Sequence, residues 1–547
     1  MPKNVDVLLV SPWAQSAAPP DSLVEDGLGV GYLTAVLREA GFSVLVLDAF
    51  IFYFDQKDIV HCVIQIDPKI LGISLHSFAD YRQCISIFDD IARLKPDIYR
   101  VIGGEHATFL ANDILERHPN VDAIVIGEGE ETFKEIASAV LSGKLVDKIA
   151  GAVVRRRSDD TIIDGGARQA IKDLDQIPHP HRDIVETAIR MGRPVAISML
   201  TGRGCTNNCT FCTAHKFLRL GGGEVWRRRK PKAVVQEMEE IIQLYMHFPG
   251  VHPMIQFQDV IFLGTSKKAR KWTEKFLDEL NRRQITISYF FMTRPESIIA
   301  NHDLLPLLAK SGLTSVEIGI ESGVDRLLQA YNKQNSIAVT KLALNLLQSH
   351  GICYDASGFI MFDPRITFNE LRTNALFLLE IGHARWDRYA TRLQVFPGTV
   401  IRKQLTSEGL FKGDAKLDDV YSYHFQDPLV AKVAAHVWIY DDSVNTLDSL
   451  LRTAKLNLTR QIQLSNDTST SLQKMVEVVE KLYCDHFLTL VNLAERDELD
   501  TQFEQYTQRF LVQVSILVNS IGQLLYSEES SNETHANRLI LRNPARR

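Results

Sequence analysis

Three of the seven cysteines fall within eight positions, in the run Thr201-Gly202-Arg203-Gly204-Cys205-Thr206-Asn207-Asn208-Cys209-Thr210-Phe211-Cys212. The C-x3-C-x2-C spacing puts three thiolates on one short loop, where they can converge on one soft metal centre. A structural zinc site wants a fourth Cys or His close by, and His215 leaves that alternative open. An iron–sulfur cube also takes thiolates, and three of them leave one iron free to bind something else. The remaining cysteines, at 62, 84, 353 and 484, stand singly and read as small core residues. An odd count without a secretory layout argues against a disulfide framework.

Three further stretches carry glycine and acid together: Ile73-Ser74-Leu75-His76, Gly103-Gly104-Glu105-His106 and Gly127-Glu128-Gly129-Glu130-Glu131-Thr132. Each follows a short apolar run, at 70–75, 100–102 and 122–126, that reads as a buried strand. With the runs at 5–10 and 43–48 and the helical patterns at 31–40, 80–93 and 131–142, they predict a doubly wound parallel sheet over residues 1–150. Ligands bind such sheets at the C-terminal strand ends, where glycine lets the backbone come close to a large flat group.

Residues 151–195 are polar, with Gly165-Gly166, Pro178 and Pro180, and predict a hairpin followed by a linker. His179 and His181 flank Pro180 and read as part of a proline turn. From 196 a second alternation begins, with strands expected at 196–200, 254–258, 286–292, 315–320, 355–361 and 388–395. Six such units in residues 196–404 fit a partial (β/α)6 barrel better than a full eightfold one. The cysteine loop follows the first strand. Residues 405–547 predict an all-α C-terminal region, with long amphipathic patterns at 443–464, 470–495 and 501–526.

The 547 residues are 45% hydrophobic and 23% charged with a formal net charge of −6, which gives no electrostatic footprint for nucleic acid. Of two basic runs, Arg155-Arg156-Arg157 reads as solvated surface; Arg227-Arg228-Arg229-Lys230 lies close enough to the cysteine loop to reach an anionic cofactor or substrate group. The N-terminus has no signal-peptide layout, and the apolar stretch 510–525 is too short and too polar for a membrane span, so a cytoplasmic location is expected.

With aromatic Phe211 before its last cysteine, the motif resembles that of the radical S-adenosylmethionine (SAM) superfamily. The resemblance implies a [4Fe–4S] cluster on Cys205, Cys209 and Cys212 whose free iron is chelated by SAM, and a 5′-deoxyadenosyl radical formed when SAM is cleaved. It extends through 196–400: Asp259, Arg294 and Glu321, at successive strand ends, match positions where the family contacts SAM. A helix cap for Asp259 and structural salt bridges for Arg294 and Glu321 are the competing readings. The three glycine-acid stretches resemble the cobalamin-binding domain fused to many radical SAM enzymes. That implies cobalamin contacts at Ser74, Leu75, His76, Gly103, Gly104, Glu105, Gly127, Glu128, Gly129 and Glu130. The loop after the first strand, Ser11-Pro12-Trp13-Ala14-Gln15-Ser16, lacks the cobalt-ligating histidine of methionine-synthase-type domains, so cobalt is expected without a protein His ligand. A domain that binds no cobalamin is the alternative.

The function implied is that of a class B radical SAM methyltransferase. It would methylate an unactivated carbon or phosphorus centre of a small-molecule or peptide substrate through methylcobalamin and the deoxyadenosyl radical. An electron donor such as flavodoxin or ferredoxin would reduce the cluster. A non-methylating cyclase, ring-contraction enzyme or dehydratase, and a non-catalytic cobalamin or iron–sulfur sensor, are the other readings. Whichever holds, the two strand-end edges are expected to face each other across one cavity, with residues beyond 405 in its wall.

Overall fold

The computed structural model describes residues 4–12, 24–75, 78–193, 195–245, 247–248, 254–412, 417, 419–438, 442–459 and 466–527. Strand β1 (Val7–Ser11) opens a parallel sheet, β2 (Val24–Glu25) leaves it, and β3 (Val44–Asp48), β4 (Ile70–Ser74), β5 (Tyr99–Gly103) and β6 (Ala123–Val125) complete it. The hairpin expected after residue 150 is β7 (Ala152–Arg155) and β8 (Ile162–Asp164), added antiparallel at one edge. The strand order is β3-β1-β4-β5-β6-β7-β8. It reverses direction between β1 and β4, which opens a crevice at their C-terminal ends.

The apolar runs are unbroken because both sheet faces are covered. Leu8, Val10, Leu71 and Ile73 pack on one face with Phe88 and Ile91. Their chain neighbours Val7 and Leu9 turn to the other face with Phe133 and Ile136. The first basic run departs from expectation at Arg155. Arg155 is buried in β7 and donates to the Leu115 carbonyl, and Arg157 pairs with buried Asp122 at 2.7 Å. Arg157 is itself exposed, and its charge is shared between solvent and a carboxylate 35 residues upstream.

The second sheet holds β9 (Val195–Met199), β12 (Met254–Phe257), β13 (Ser288–Thr293), β14 (Leu313–Ile318) and β15 (Cys353–Asp355), while β10 (Gly202–Gly204) and β11 (Trp226–Arg228) form a separate antiparallel ribbon. Its order is β15-β14-β13-β12-β9-β2, so β2, from the N-terminal segment, supplies one edge of the barrel sheet. The strand expected over 355–361 stops at Asp355. The one expected over 388–395 is replaced by a helical turn, Trp386–Tyr389, and a single parallel bridge between Phe362 and Arg392. The Asp448 carboxylate, far along the chain, accepts the backbone N–H groups of Trp386 and Asp387 at 3.1 and 2.9 Å and caps that turn. The barrel is therefore partial, with five regular strands, a one-bridge sixth position and β2 on the opposite edge.

Helices Pro428–Val437, Asp442–Thr459, Asn466–Glu495 and Leu499–Ser527 form the expected helical region. Its buried residues belong to one continuous core with the barrel, for example through Tyr389 stacked on Phe487 at 4.8 Å. Among the described residues no helix is long and apolar enough to cross a membrane.

Candidate functional site

The C-terminal edges of the two sheets face each other across a cavity of 580 Å³. One wall is made by Ser74, Gly103, Gly104, Glu105, Gly127, Glu128, Gly129 and Glu130 of the first sheet; the other by Gly202, Arg203, Ala214 and Phe217, which flank the cysteine loop. Its floor is apolar, with Leu9, Ile73, Val125 and Phe133. Among the described residues none beyond 405 lines it, contrary to expectation. Tyr421 and Trp438 instead line a second cavity, of 660 Å³, with Phe211 of the cysteine loop.

The opposition of the edges is held by buried charge. Asp26, just after β2, accepts the Ser198 N–H of β9 at 2.5 Å and pairs with Arg182 of the linker, which also pairs with Glu237 at 2.6 Å. At the cavity itself Arg227 grips Glu128 through both guanidinium nitrogens, at 2.5 and 3.1 Å, and Arg203 pairs with Glu130 at 2.5 Å. Arg203 also lies over the Tyr32 ring, 5.3 Å from its centroid. Burial alone would raise the Glu128 pKa, but Arg227 and Arg203 hold it below the usual carboxylate range. Of the second basic run only Arg227 meets an acid beside the first sheet; Arg229 pairs with Glu237 of the following helix, Pro231–Tyr245, at 2.5 Å, and Arg228 stacks on Trp272 at 3.5 Å while donating to Thr201 and the Phe262 carbonyl.

Among the residues expected to meet cobalamin, Gly104 has the clearest backbone requirement. Its φ is +105°, and a Cβ there would come within 2.5 Å of the Leu75 carbonyl oxygen. Leu75 itself is fully buried and donates its N–H to Gly103 at 2.8 Å, beneath the cavity wall rather than on it. Glu105 accepts a hydrogen bond from Thr213, the residue after Cys212, and burial raises its pKa. Its other oxygen, Oε1, is buried without a partner. His76 and the loop from Trp13 to Ser16 lie outside the described residues.

The cysteine loop leaves the β10 strand and ends at the helical turn Ala214–Phe217. Arg219 clasps it from within, donating to the carbonyls of Cys205 and Asn207 at 2.5 and 3.2 Å and to Asn208 Oδ1 at 2.5 Å. From outside, Thr210 N–H donates to the Tyr331 carbonyl at 2.9 Å and Asn332 donates to the Asn208 carbonyl at 3.0 Å. Each sulfur has donors nearby. Cys205 Sγ accepts from Asn207 N and Nδ2 at 3.5 and 3.7 Å, Cys209 Sγ from Arg294 at 3.3 Å, and Cys212 has the backbone N–H groups of Ala214 and His215. As a free thiol Cys212 has its pKa pushed up to about 11 by burial. Among the described residues no three His, Cys, Asp or Glu side chains close around a single ion. His215 is turned inward, with Nδ1 buried and unpartnered. Phe211 packs edge-on against Tyr331 at 5.4 Å.

The three residues matched to SAM contacts have unequal settings. Both Asp259 oxygens are taken by Thr201, from its N–H at 2.8 Å and its hydroxyl at 2.7 Å; its neighbour Gln258 is the one that lines the cavity. Side chains alternate along a strand and its exit, so facing Gln258 inward turns Asp259 away. Arg294 reaches Cys209, Glu296 and the Lys333 carbonyl. Glu321 has φ +63° and is buried, pairing through Oε1 with buried Lys333. Its Oε2 has no partner and sits where a Cβ on Gly358 would be only 2.6 Å away. Lys333 and Arg219 are absent from the sequence-derived site, while Arg227 belongs to the basic run expected near an anionic group and meets Glu128 instead. No short motif marks them; only the spacing of acids and bases across the fold does.

Two family models match the chain: B12 binding domain over residues 23–137 and Radical SAM superfamily over residues 199–378. An anaerobic magnesium-protoporphyrin IX monomethyl ester cyclase of Rubrivivax gelatinosus is 30% identical over 336 residues, 60% of this chain and 57% of that protein; the chain thus spans just over half the length of this relative. An uncharacterized methyltransferase of Pyrococcus horikoshii, PH0819, is 27% identical over 73% of this chain and 82% of its own length. The solved structure of the cobalamin-dependent S-adenosylmethionine radical enzyme OxsB, with aqua-cobalamin and S-adenosylmethionine bound, superposes with a TM-score of 0.71 at 18% identity, covering 98% of this chain and 82% of that one.

Proposed function

This chain is a radical SAM protein carrying a B12-binding domain, and we propose that it is an enzyme that uses a [4Fe–4S] cluster, SAM and cobalamin to methylate an unactivated carbon or phosphorus centre of a small molecule or peptide. The observation that carries this reading is the 580 Å³ cavity shared by the two strand-end edges, which gives two cofactors access to one substrate.

The residues present fit those groups. Three thiols on one loop, with N–H donors aimed at their sulfurs, suit a cluster whose thiolate charge needs stabilising. The unpartnered Glu321 Oε2 suits an ammonium group such as that of SAM. The glycine edge at Gly104 and Gly127, with its apolar floor, suits a flat macrocycle. When bound, the cofactors supply a carbon radical and a transferable methyl group; the chain's own groups do the positioning. Cys205, Cys209 and Cys212 hold the cluster, Arg294 donates to Cys209, and Arg203 and Arg227 keep the two edges apposed. The apolar floor keeps bulk water from the reaction space. A flavodoxin- or ferredoxin-type reductant supplies the electron.

The test is anaerobic reconstitution of the full chain with iron, sulfide and cobalamin, then incubation with a reductant and SAM carrying a trideuterated methyl group. Formation of 5′-deoxyadenosine together with deuterium on a product supports the reading; absence of deoxyadenosine sinks it. The likeness to a cyclase favours one second reading, a radical cyclisation that transfers no methyl. It would give deoxyadenosine with no deuterium in the product. Bound cobalamin is expected base-off with no His ligand; nitrogen superhyperfine splitting in the cob(II)alamin spectrum, assigned to an axial His or to the dimethylbenzimidazole tail, would refute this.

A further inference from the structure

Alternation along each barrel strand turns one set of side chains out to the helices and the next into the barrel. Phe257 and Tyr289 face outward, against Phe276 of the helix Lys267–Arg283 at 6.0 and 6.2 Å. Their chain neighbours Gln256, Gln258 and Phe290 therefore face inward, as does Met292 two residues further on. The parallel register extends this inner face across the sheet. Ser198 of β9 pairs with Gln256, Glu317 of β14 with Met292, and Asp355 of β15 with Glu317. Glu25 of β2 pairs with Ala196, two residues before Ser198. A closed parallel barrel fills this space with branched apolar side chains. Here the inner face is largely polar and carries acids.

Two of its carboxylates stand between the two cavities. Glu25 lines the 580 Å³ cavity beside Gln258, whose amide donates to it at 3.1 Å. Glu317 lies 3.5 Å from the hydroxyl of Ser357, which lines the 660 Å³ cavity. Desolvation raises the pKa of both carboxylates. At Glu25 the Gln258 hydrogen bond opposes that rise and Asp26 adds to it; at Glu317 Asp355 and Glu25 add to it, while Ser357 and Arg388 oppose it. Asp355 itself is held by Arg385 and Arg388 at 3.3 and 2.6 Å. An independent feature lies on the same face. Gln256 is 5% exposed, and its Oε1 is buried with no hydrogen-bond partner among the described residues. An acceptor that has lost water and gained no donor favours a donor brought in from outside.

In the reading above, the glycine edge of the 580 Å³ cavity takes cobalamin. The 660 Å³ cavity, bounded by Phe211 of the cysteine loop and by Gly358 beside Glu321, takes SAM. The acidic layer borders both, which is where a substrate that meets both cofactors has to lie. We propose that Glu25 and Glu317 bind an ammonium group of the substrate, with Gln256 Oε1 accepting a further N–H or O–H from it, so that the enzyme selects amine-bearing molecules. This names a substrate class for the enzyme proposed above and rests on that reading for its link to the reaction; amine binding itself is measurable without turnover. SAM carries an ammonium group and cobalamin carries amide N–H donors, so both cofactors must be in place when it is measured.

The full chain, loaded anaerobically with cluster, cobalamin and SAM and kept without reductant, is titrated by calorimetry with benzylamine, benzyl alcohol and benzoate. Benzylamine is expected to bind at least tenfold more tightly than benzyl alcohol, and benzoate no more tightly than the alcohol. Glu317→Gln and Glu25→Gln, which keep the side-chain shape, should each cut that preference at least threefold, and the double variant should erase it. Equal affinity for the three probes in the parent, or binding of none, overturns the proposal without any variant. An amine preference that survives in the double variant overturns it too. Loss of SAM or cobalamin binding in both single variants would assign the two carboxylates to a cofactor and overturn the substrate assignment. Failure of deoxyadenosine formation with selective amine binding intact would strike the proposed reaction and leave the subsite standing.

Discussion

Cys205, Cys209 and Cys212 have no fourth Cys beside them, so each carries a third of any cluster's attachment. Cys205→Ala, Cys209→Ala and Cys212→Ala are each expected to drop bound iron from about four per chain to near zero after anaerobic reconstitution. Retention of about four irons in all three variants would remove the cluster assignment. Arg294 acts one bond further out. Its N–H donates to Cys209 Sγ, and hydrogen bonds to ligand sulfur raise a cluster's potential by stabilising the reduced, more negative state. Arg294→Met should keep its iron and show a more negative midpoint potential in a redox titration followed by electron paramagnetic resonance. An unchanged potential would make the contact incidental.

Between elements, the β10–β11 ribbon and the loop after β6 are joined by Arg227–Glu128 and Arg203–Glu130, with side chains only 3–12% exposed. Removing one partner leaves a buried charge without its mate. Glu128→Ala is therefore expected to cost about 3–5 kcal/mol, and Glu128→Ala with Arg227→Met about half that or less. Denaturant midpoints of the four proteins test this; additive losses would refute the pairing. The sign of its pH dependence follows from the shift. The folded Glu128 pKa lies below the unfolded one, so its contribution is full above about pH 4.5 and fades as pH falls through the folded value. A second acid-sensitive contact joins the last two helices, where His486 stacks on Phe510 with ring centroids 4.0 Å apart. Burial pushes the His486 imidazole down to about 3. The unfolded chain takes up that proton near pH 6.5, so stability is full above 6.5 and lost progressively toward 3, by up to about 1.4 kcal/mol per pH unit. His486→Phe should lower the stability lost between pH 7 and 5, measured as the shift in denaturant midpoint; an unaltered slope would show that the ring is not held neutral.

At the level of the whole chain, the domains are not beads on a tether. β2, from the first 25 residues, completes the edge of the barrel sheet, and Asp26 beside it binds Ser198 and Arg182. Asp26→Ala, a change in the N-terminal segment, should therefore destabilise the barrel. It leaves the buried Ser198 N–H without its acceptor and Arg182 with the Glu237 carboxylate and the Ser198 carbonyl, a loss of about 2–4 kcal/mol. Hydrogen exchange at β9 and β12 should rise in this variant. Exchange confined to residues before 150 would show the domains to be energetically separate.

Much of this was legible in local pattern. The period-two and period-3.6 apolar repeats locate the parallel strands and the long C-terminal helices, because burying a strand face or a helix stripe constrains the residues at that spacing. The cysteine spacing names its chemistry because three thiolates must lie on one loop to share one metal centre. What the pattern does not hold is anything settled by residues far apart in the chain. The strand expected at 388–395 gives way to a turn because Asp448 caps it. Arg155 reads as solvated, yet lies inside because the Leu115 carbonyl receives it, while Arg157 stays at the surface and ties down buried Asp122. Asp259 faces Thr201 and not the cavity. A buried charge is paired or left waiting according to three-dimensional neighbours, and the free energy of that choice is electrostatic and acts through space, where sequence spacing carries no signal.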